Sequence, residues 1–219
     1  MSPNRQHFID ELNALTNKIQ TMGSEVIKAF DNLIKALSDN NIDLAKGIVE
    51  NDKVINEIEV AINVEAYLLI ARQCPVASDL RTIITALKIA NDLERIADYA
   101  ANISKYIIKS KNENYGYRAV ITKLVNQVIN MLVSILKAYQ KQDMKLALEV
   151  CELDSTLDDL YKVKVKELIS VGIKQTTIDS EEAIRALLIL KQVERAGDHI
   201  TNIAENIVYL INGKRVELN

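Results

Sequence analysis

The sequence predicts an all-α protein of two tandem three-helix bundles related by internal duplication. Three observations predict it. Six Gly, two Pro and 5% aromatic residues in 219 leave few turns and little strand-forming material. Apolar residues recur at alternating spacings of three and four over long stretches, the mark of a bundle seam. A segment of twenty-one residues also occurs twice, without a gap, at a spacing of one hundred. The first copy is LKIANDLERIADYAANISKYI, Leu87 to Ile107, and the second LLILKQVERAGDHITNIAENI, Leu187 to Ile207.

Taken in order, a first helix is expected from about Asn4 to Leu37, with Leu12, Leu15, Ile19, Met22, Val26, Ala29, Leu33 and Ala36 as its seam. Gly23 inside it costs about 1 kcal/mol against Ala, which points to close packing there. SDNN (Ser38 to Asn41) is a turn, with Asp43 as cap or first-turn acid. A second helix runs from about Ile42 to Gln73, placing Leu44, Ile48, Ile55, Ile58 and Ile62 inward. Pro75 ends it, because proline disfavours helical geometry at Cys74. A third helix is predicted from near Val76 to about Lys111, on the seam Ala86, Ile89, Leu93, Ile96, Ala100, Ile103 and Ile107. At 1.5 Å per residue it is roughly 50 Å long.

SKNENYGY (Ser110 to Tyr117) is the most polar break, so the bundles are assigned to residues 1–112 and 113–219. A fourth helix repeats the first seam with Ile121, Leu124, Val128, Met131, Ile135 and Ala138, and KQD (Lys141 to Asp143) repeats the first turn. A fifth carries Leu146, Val150, Leu153, Leu157 and Leu160, with Gly172 as C-cap. TTIDSEE opens a sixth, with cap candidates and first-turn acids. Its seam runs from Ala186 through Ile189, Val193, Ala196, Ile200, Ile203 and Ile207 to Leu210, and Gly213 ends it. Short connections make neighbouring helices mostly antiparallel.

Composition narrows function. No run approaches eighteen apolar residues, so no membrane span is expected. MSPNRQHFIDEL has no apolar core and no cleavage-like site, so a cytoplasmic protein is expected. A net charge of −3, with Lys and Arg spread among acids, argues against a nucleic-acid binder. Cys74 and Cys151 lack CxxC spacing and read as small buried apolar residues, reduced. No phosphate-cradling, dinucleotide-binding or nucleophile-elbow motif is present, nor HExxH, so no enzyme is predicted. His199 follows Glu194 by five, the wrong spacing for a bundle di-metal site, and reads as a surface or interface residue. His7 lies near the N-terminus.

Eight aligned pairs of the repeat are identical. Leu87, Ile89, Ile103, Ile107 and their counterparts are apolar, which packing explains. Glu94/Glu194, Arg95/Arg195, Asp98/Asp198 and Asn102/Asn202 are polar, which packing explains poorly. Glu94, Asp98 and Asn102 fall at i, i+4 and i+8, a stripe of oxygen ligands placed on the face away from the core. Glu194, Asp198 and Asn202 repeat it. Two carboxylates one turn apart can share a hard cation and otherwise repel. Arg95 and Arg195 are adjacent in sequence, diverge by helical geometry and relieve the repulsion only partly. Asp52 with Asn56, and Asp154 with Asp158, are matching pairs on the second and fifth helices that could face the stripes. The other reading of such a pair is a solvated helix face on a structural scaffold. Persistence of the pairs through the duplication favours ligation.

TMGSEV (Thr21 to Val26), ENDKVINEIEVAIN (Glu50 to Asn63), CPVASDLRTI (Cys74 to Ile83), DLERIADYAANI (Asp92 to Ile103) and VERAGDHITNI (Val193 to Ile203) make the whole chain resemble the PhoU family, regulators of bacterial phosphate uptake. The resemblance implies paired three-helix bundles that hold metal clusters, of iron or other divalent ions, through surface Glu/Asp-x-x-x-Asp pairs. Zinc, manganese and magnesium are further candidates. It implies a cytoplasmic, non-enzymatic negative regulator of the phosphate-starvation response. Its partners would be the phosphate ABC transporter's ATPase and a membrane-bound phosphate-sensing histidine kinase, with contact to the membrane only through them. A homodimer is expected. The implied ligands are Glu94, Asp98 and Asp52 in the first bundle, and Glu194, Asp198, Asp154 and Asp158 in the second. Asn56 opposite Asp158, and Glu59 opposite Tyr161, put equal loading of the halves in doubt. Ala97 opposite Gly197 makes different helix contacts there an expectation.

Overall fold

The computed structural model describes residues 3–109, 117–172 and 177–218. They form six helices, α1 (Pro3–Asp39), α2 (Ile42–Gln73), α3 (Ala77–Ile108), α4 (Arg118–Lys141), α5 (Met144–Gly172) and α6 (Thr177–Asn212). The expected bundle boundary falls in residues 110–116, outside the described residues. Gly213 follows α6 with φ of +73°, the left-handed position that glycine accepts without strain.

The duplication is visible in the backbone. Asn40 and Gln142, equivalent positions, both take φ of 51° at the turns after α1 and α4. The next residues cap the following helices: Asn41 Oδ1 accepts from Leu44 N at 2.9 Å, and Asp143 Oδ1 accepts from Leu146 N at 3.0 Å. The cap is therefore Asn41. Asp43 lies in the first turn, paired with Lys46.

Within the halves, α1, α2 and α3 pack on one another, as do α4, α5 and α6. The halves also meet, α3 against α6 and α1 against α4, and one continuous apolar core runs through both. Gly23 lies at the α1–α4 contact, where a Cβ would come within 2.5 Å of Leu136 Cδ1. The close packing expected at Gly23 is thus a contact between the halves.

Three expectations change. Leu153 is 40% exposed, while its neighbour Asp154 is 7% exposed, so a carboxylate takes the inward position on α5. Cys74 is exposed: as the α2 C-cap it adopts φ of 44°, a left-handed corner that keeps the thiol at the surface beside Pro75. Cys151 is half-buried, and burial pushes its thiol up to about 11. By length and composition α4 is long and apolar enough to cross a membrane. Its residues Ile121, Leu124, Val128, Met131 and Ile135 are buried in the protein core, and buried core helices meet the same criterion.

Candidate metal centre

The acidic stripes do not point away from the core. Glu94 and Asp98 flank the buried seam of α3, with side chains 18% and 34% exposed. They face α2, where Asp52 and Glu59 lie close enough to act on them electrostatically. Antiparallel packing sets the order: Asp52 is level with Asp98, and Glu59 with Glu94. On the other side, α5 brings Asp154 and Asp158 to Glu194 and Asp198 of α6.

In the second half the carboxylates converge. Oxygens of Asp158, Glu194 and Asp198 all lie within 4.8 Å of one another. Ligands on one hard cation, each bonded at about 2.0–2.6 Å, are at most about 5 Å apart, so the span fits. Asp154 closes the group from beneath. Its Oδ2 accepts from Thr201 Oγ1 at 3.0 Å, while its Oδ1 is buried with no hydrogen-bond partner. Gly197 makes this possible, since a Cβ there would sit 2.3 Å from Asp154 Oδ1. Burial pushes the Asp154 carboxyl up to about 6, with the Asp158, Asp198 and Glu194 charges adding and the Thr201 hydroxyl opposing. Burial also raises Asp198, with Glu194 and Asp158 adding and Lys191 and His199 opposing. Lys191 Nζ donates to Glu194 Oε2 at 2.5 Å, and Lys162 Nζ to Asp158 Oδ2 at 3.4 Å.

The first half is built alike, with one carboxylate position taken by an amide. Asn56 stands where Asp158 does. Asp52 Oδ1, Asn56 Oδ1 and Glu94 Oε2 are buried without a hydrogen-bond donor. Glu94 Oε2 has Arg95 Nε at 3.2 Å, near enough for ion pairing but outside hydrogen-bond geometry. Burial raises Asp52, with Asp98 adding; it raises Glu94, with Asp98, Glu59 and Asp52 adding against Arg95. Arg95 does not diverge as i+1 geometry predicts. Its long side chain curls back, placing Nη1 3.1 Å from Asp98 Oδ2, and so bridges both acids. Ala97 occupies the space that Gly197 leaves open, and Asp52 stays half-buried.

A buried oxygen with no donor costs about 1–3 kcal/mol, more when charged. Those of Asp52, Asn56, Glu94 and Asp154 all belong to the two acidic groups. A cation would satisfy them. The oxygen-only donor set fits a hard ion, and it offers no soft ligand to hold copper or an iron–sulfur cluster.

Sequence reasoning did not assign roles to Thr201, Lys191 or Lys162. Thr201 sits seven residues after Glu194, two helical turns along the same stripe, which was the available signal. Glu59 was noted only as a departure. It accepts from Asn63 at 2.6 Å, and its place opposite Glu94 makes it a fourth acid of the first group. Tyr161, its counterpart, lies under Lys191 Nζ at 5.7 Å. His199 is an interface residue, as read: its Nδ1 is 2.9 Å from buried Asp92 Oδ1, and its ring stacks on Tyr99 at 5.6 Å. Both contacts join α3 to α6. Asn102, also on the stripe, reaches across to Gln192 at 3.4 Å. Glu59, Lys88, Asp92, Asn202 and Tyr209 line an open cleft of about 610 Å³ beside the first acidic group, with Arg215, Val216 and Glu217 also in its lining.

Comparison with known proteins places this arrangement. The chain is 34% identical over 217 residues to the phosphate-specific transport system accessory protein PhoU homolog of Clostridium acetobutylicum, covering 98% of this chain and 99% of that protein. It is 32% identical to the phosphate-specific transport system accessory protein PhoU of Escherichia coli, over 94% of this chain and 86% of that one. Among solved structures, the phosphate transport system regulatory protein PhoU of Streptococcus pneumoniae superposes with a TM-score of 0.89 at 28% identity, covering 96% of this chain and 99% of that one. PhoU from Pseudomonas aeruginosa gives 0.88 at 32%, over 94% and 100%. The PhoU domain family matches twice, over residues 19–107 and 121–207, on the two three-helix halves. With both repeats present and its whole length shared with these relatives, the chain belongs to the PhoU family.

Proposed function

We propose that this protein is a metal-binding accessory regulator of phosphate uptake that couples the state of a phosphate ABC transporter to its sensor histidine kinase. It works at the cytoplasmic face of the membrane through helix-surface contacts, without bond chemistry. The relatives' names support the transport role: they are accessory and regulatory proteins of phosphate transport. The observation that carries the metal reading is the convergence of Asp158, Glu194 and Asp198 within 4.8 Å, above a buried Asp154 oxygen that lacks a donor. Glu94, Asp98 and Asp52 form the second, weaker site. Magnesium, manganese or iron suits these oxygens; zinc suits them less, having neither imidazole nor thiolate here. The bound ion would neutralise two clusters of like charge and fix α2 to α3 and α5 to α6, giving a partner one defined surface.

Metal content after purification without chelator tests the ligands. Wild-type protein should carry metal, and the Glu94→Ala/Asp98→Ala/Glu194→Ala/Asp198→Ala protein should not; equal content in both sinks the metal reading. Pull-down of the transporter ATPase and the kinase, with and without phosphate, tests the adaptor role. Binding by wild type and its loss in the same variant is the expected outcome.

A scaffold without functional metal is favoured by one observation. Arg95 bridges Glu94 and Asp98, and Lys191 and Lys162 neutralise Glu194 and Asp158, so part of the charge is already balanced. On that reading metal leaves both melting temperature and partner binding unchanged.

A further inference from the structure

We propose that the cleft between α2 and α6 is a groove for an extended, basic segment of a partner protein, part of which the chain's own C-terminal strap, Lys214 to Leu218, occupies in cis. Helices α2 and α6 both pack on α3 and do not pack on each other, so they stand as walls with α3 as the floor. After the turn at Gly213 the strap runs back along α6 without helical structure. Val216 and Leu218 are half-buried while Arg215 and Glu217 are exposed, the alternation of an extended chain laid on a surface. Leu218 packs on the core, and its N–H donates to Glu205 Oε1 at 2.8 Å. The molecule thus already seats an extended peptide here, with a helix side chain bonding its main chain.

Beyond Leu218 the same chemistry continues unused. The cleft extends to Asn202, Asn91 and Asn63. The side chains of Asn91 and Asn202 bond nothing among the described residues, and half-buried Lys88 has no ion-pair partner among them. A carboxamide offers both a donor and an acceptor, as a peptide group does. Asparagines along a groove can therefore pair with a main chain of any sequence, while alternate side chains supply selectivity. Helix packing does not dictate this lining. In the other half the equivalents of Asn63, Asn91, Glu205 and Asn206 are Val165, Lys191, Lys105 and Tyr106. Asn202 is repeated as Asn102, whose amide is spent on Gln192 at 3.4 Å.

Charge selects the occupant. Glu59, Asp92 and Glu205 against Lys88 make the helical walls acidic, which suits a segment with basic residues beside two apolar ones spaced two apart. The strap has that pattern, Lys214 and Arg215 ahead of Val216 and Leu218. Past its turn, one hydrogen bond to the helices and two half-buried side chains hold it among the described residues. A longer segment that makes those contacts and also reaches the asparagines displaces it. This inference is independent of any metal and of which protein supplies the segment.

Fluorescence anisotropy of a labelled peptide NGKRVELN, the sequence from Asn212 to Asn219, against the full chain tests it. The Val216→Asp/Leu218→Asp chain, its strap released, should bind the peptide roughly tenfold more tightly than wild type, whose tethered strap competes at high effective concentration. Adding Asn202→Ala/Glu205→Ala to the released chain should abolish that gain with circular dichroism unchanged. A peptide with Asp in place of both Val and Leu should not bind, and one with Gly in place of Lys and Arg should bind more weakly. Should the released chain misfold, isotopically labelled wild type decides the matter: saturating peptide should move the Leu218 amide resonance to its unstructured position. A released chain that binds no more tightly than wild type overturns the proposal. So does peptide binding that ignores the Asn202/Glu205 substitutions or the loss of Val and Leu, or that leaves the Leu218 resonance in place. A released chain that takes up adenosine monophosphate and not the peptide overturns it equally.

Discussion

At the scale of single residues, Asp154 concentrates the conflict between packing and chemistry. A carboxylate 7% exposed, with one oxygen lacking a donor, stands where an apolar side chain would pack. Its carboxyl titrates near 6 in the fold, against an ordinary value of 3.8. Below pH 3.8 both the folded and unfolded chains hold the proton. Between 3.8 and 6 the folded chain holds more of it, so folding stability falls as pH rises through that window and stays lower above it. Metal-free Asp154→Asn protein, which has no charge to bury, should therefore be more stable than wild type at pH 7 by about 1–2 kcal/mol. At pH 4 the two should nearly coincide. The same variant should lose the stabilisation that manganese gives wild type. Thermal melts at both pH values, with chelator and with manganese, measure all three; a variant less stable than wild type at pH 7 without metal refutes this account. Asp154 was legible in the sequence as half of an i,i+4 acidic pair. Its burial was not, because it depends on Gly197 of α6, and which glycine faces which acid across two helices is a tertiary fact.

At the scale of elements, helix identity was legible almost throughout because long apolar seams and polar turns agree. Boundaries moved by one to three residues, as terminal turns do. The miss at Leu153 is instructive. Spacings of three from Val150 and four to Leu157 put Leu153 on the seam, yet Asp154 satisfies the same arithmetic and wins the inward place. Periodicity cannot choose between adjacent positions when the functional residue is itself polar. Gly23 is the reverse case, read from its apparent cost alone. It lets α1 lie against α4 at Leu136, whose carbonyl also accepts from Gln20 Nε2 at 3.0 Å. Gly23→Ala gains helix propensity worth about 1 kcal/mol but drives a Cβ into a buried leucine, and overpacking of this kind costs about 1–3 kcal/mol. The net expectation is destabilisation by about 1 kcal/mol, reversed in part when Leu136 is shortened to Val. Chemical denaturation of the two single variants and the double variant measures the coupling, and purely additive effects would show that the α1–α4 contact is not tight there.

At the scale of the whole molecule, two-fold repetition without identity decides what the protein can do. The sequence disclosed the repeat and not the way its copies meet. The docking of α3 on α6 runs through Asp92, Tyr99, Asn102, Gln192 and His199, positions that differ between the copies except for Asn102, so no repeat-based reading could mark them as a contact. The docked halves share one core but present unequal acidic groups. The second has three carboxylates within ligation distance and a fourth beneath them. The first also has four acids, Asp52, Glu59, Glu94 and Asp98. Among the described residues, though, only those of the second half bring three oxygens within 4.8 Å of one another, and the first has an amide at Asn56 and a guanidinium across Glu94 and Asp98. Cation affinity in oxygen sites follows the number of charged ligands that can reach one ion. A cation would displace Arg95 from two acids at once in the first group, and Lys191 and Lys162 from one acid each in the second. Titrating chelator-stripped protein with manganese should accordingly give two classes of site, the tighter in the second half. Glu194→Ala/Asp198→Ala should remove the tight class and leave the weak one, and Glu94→Ala/Asp98→Ala should do the opposite. Asn56→Asp should bring the weak class toward the tight one by roughly tenfold. Calorimetry on the three variants separates this from symmetric loading, in which the two paired-alanine variants would lose the same class. The outcome bears on regulation: a protein whose halves fill at different metal concentrations has three states to present to its partners, where two equal halves would have little more than two.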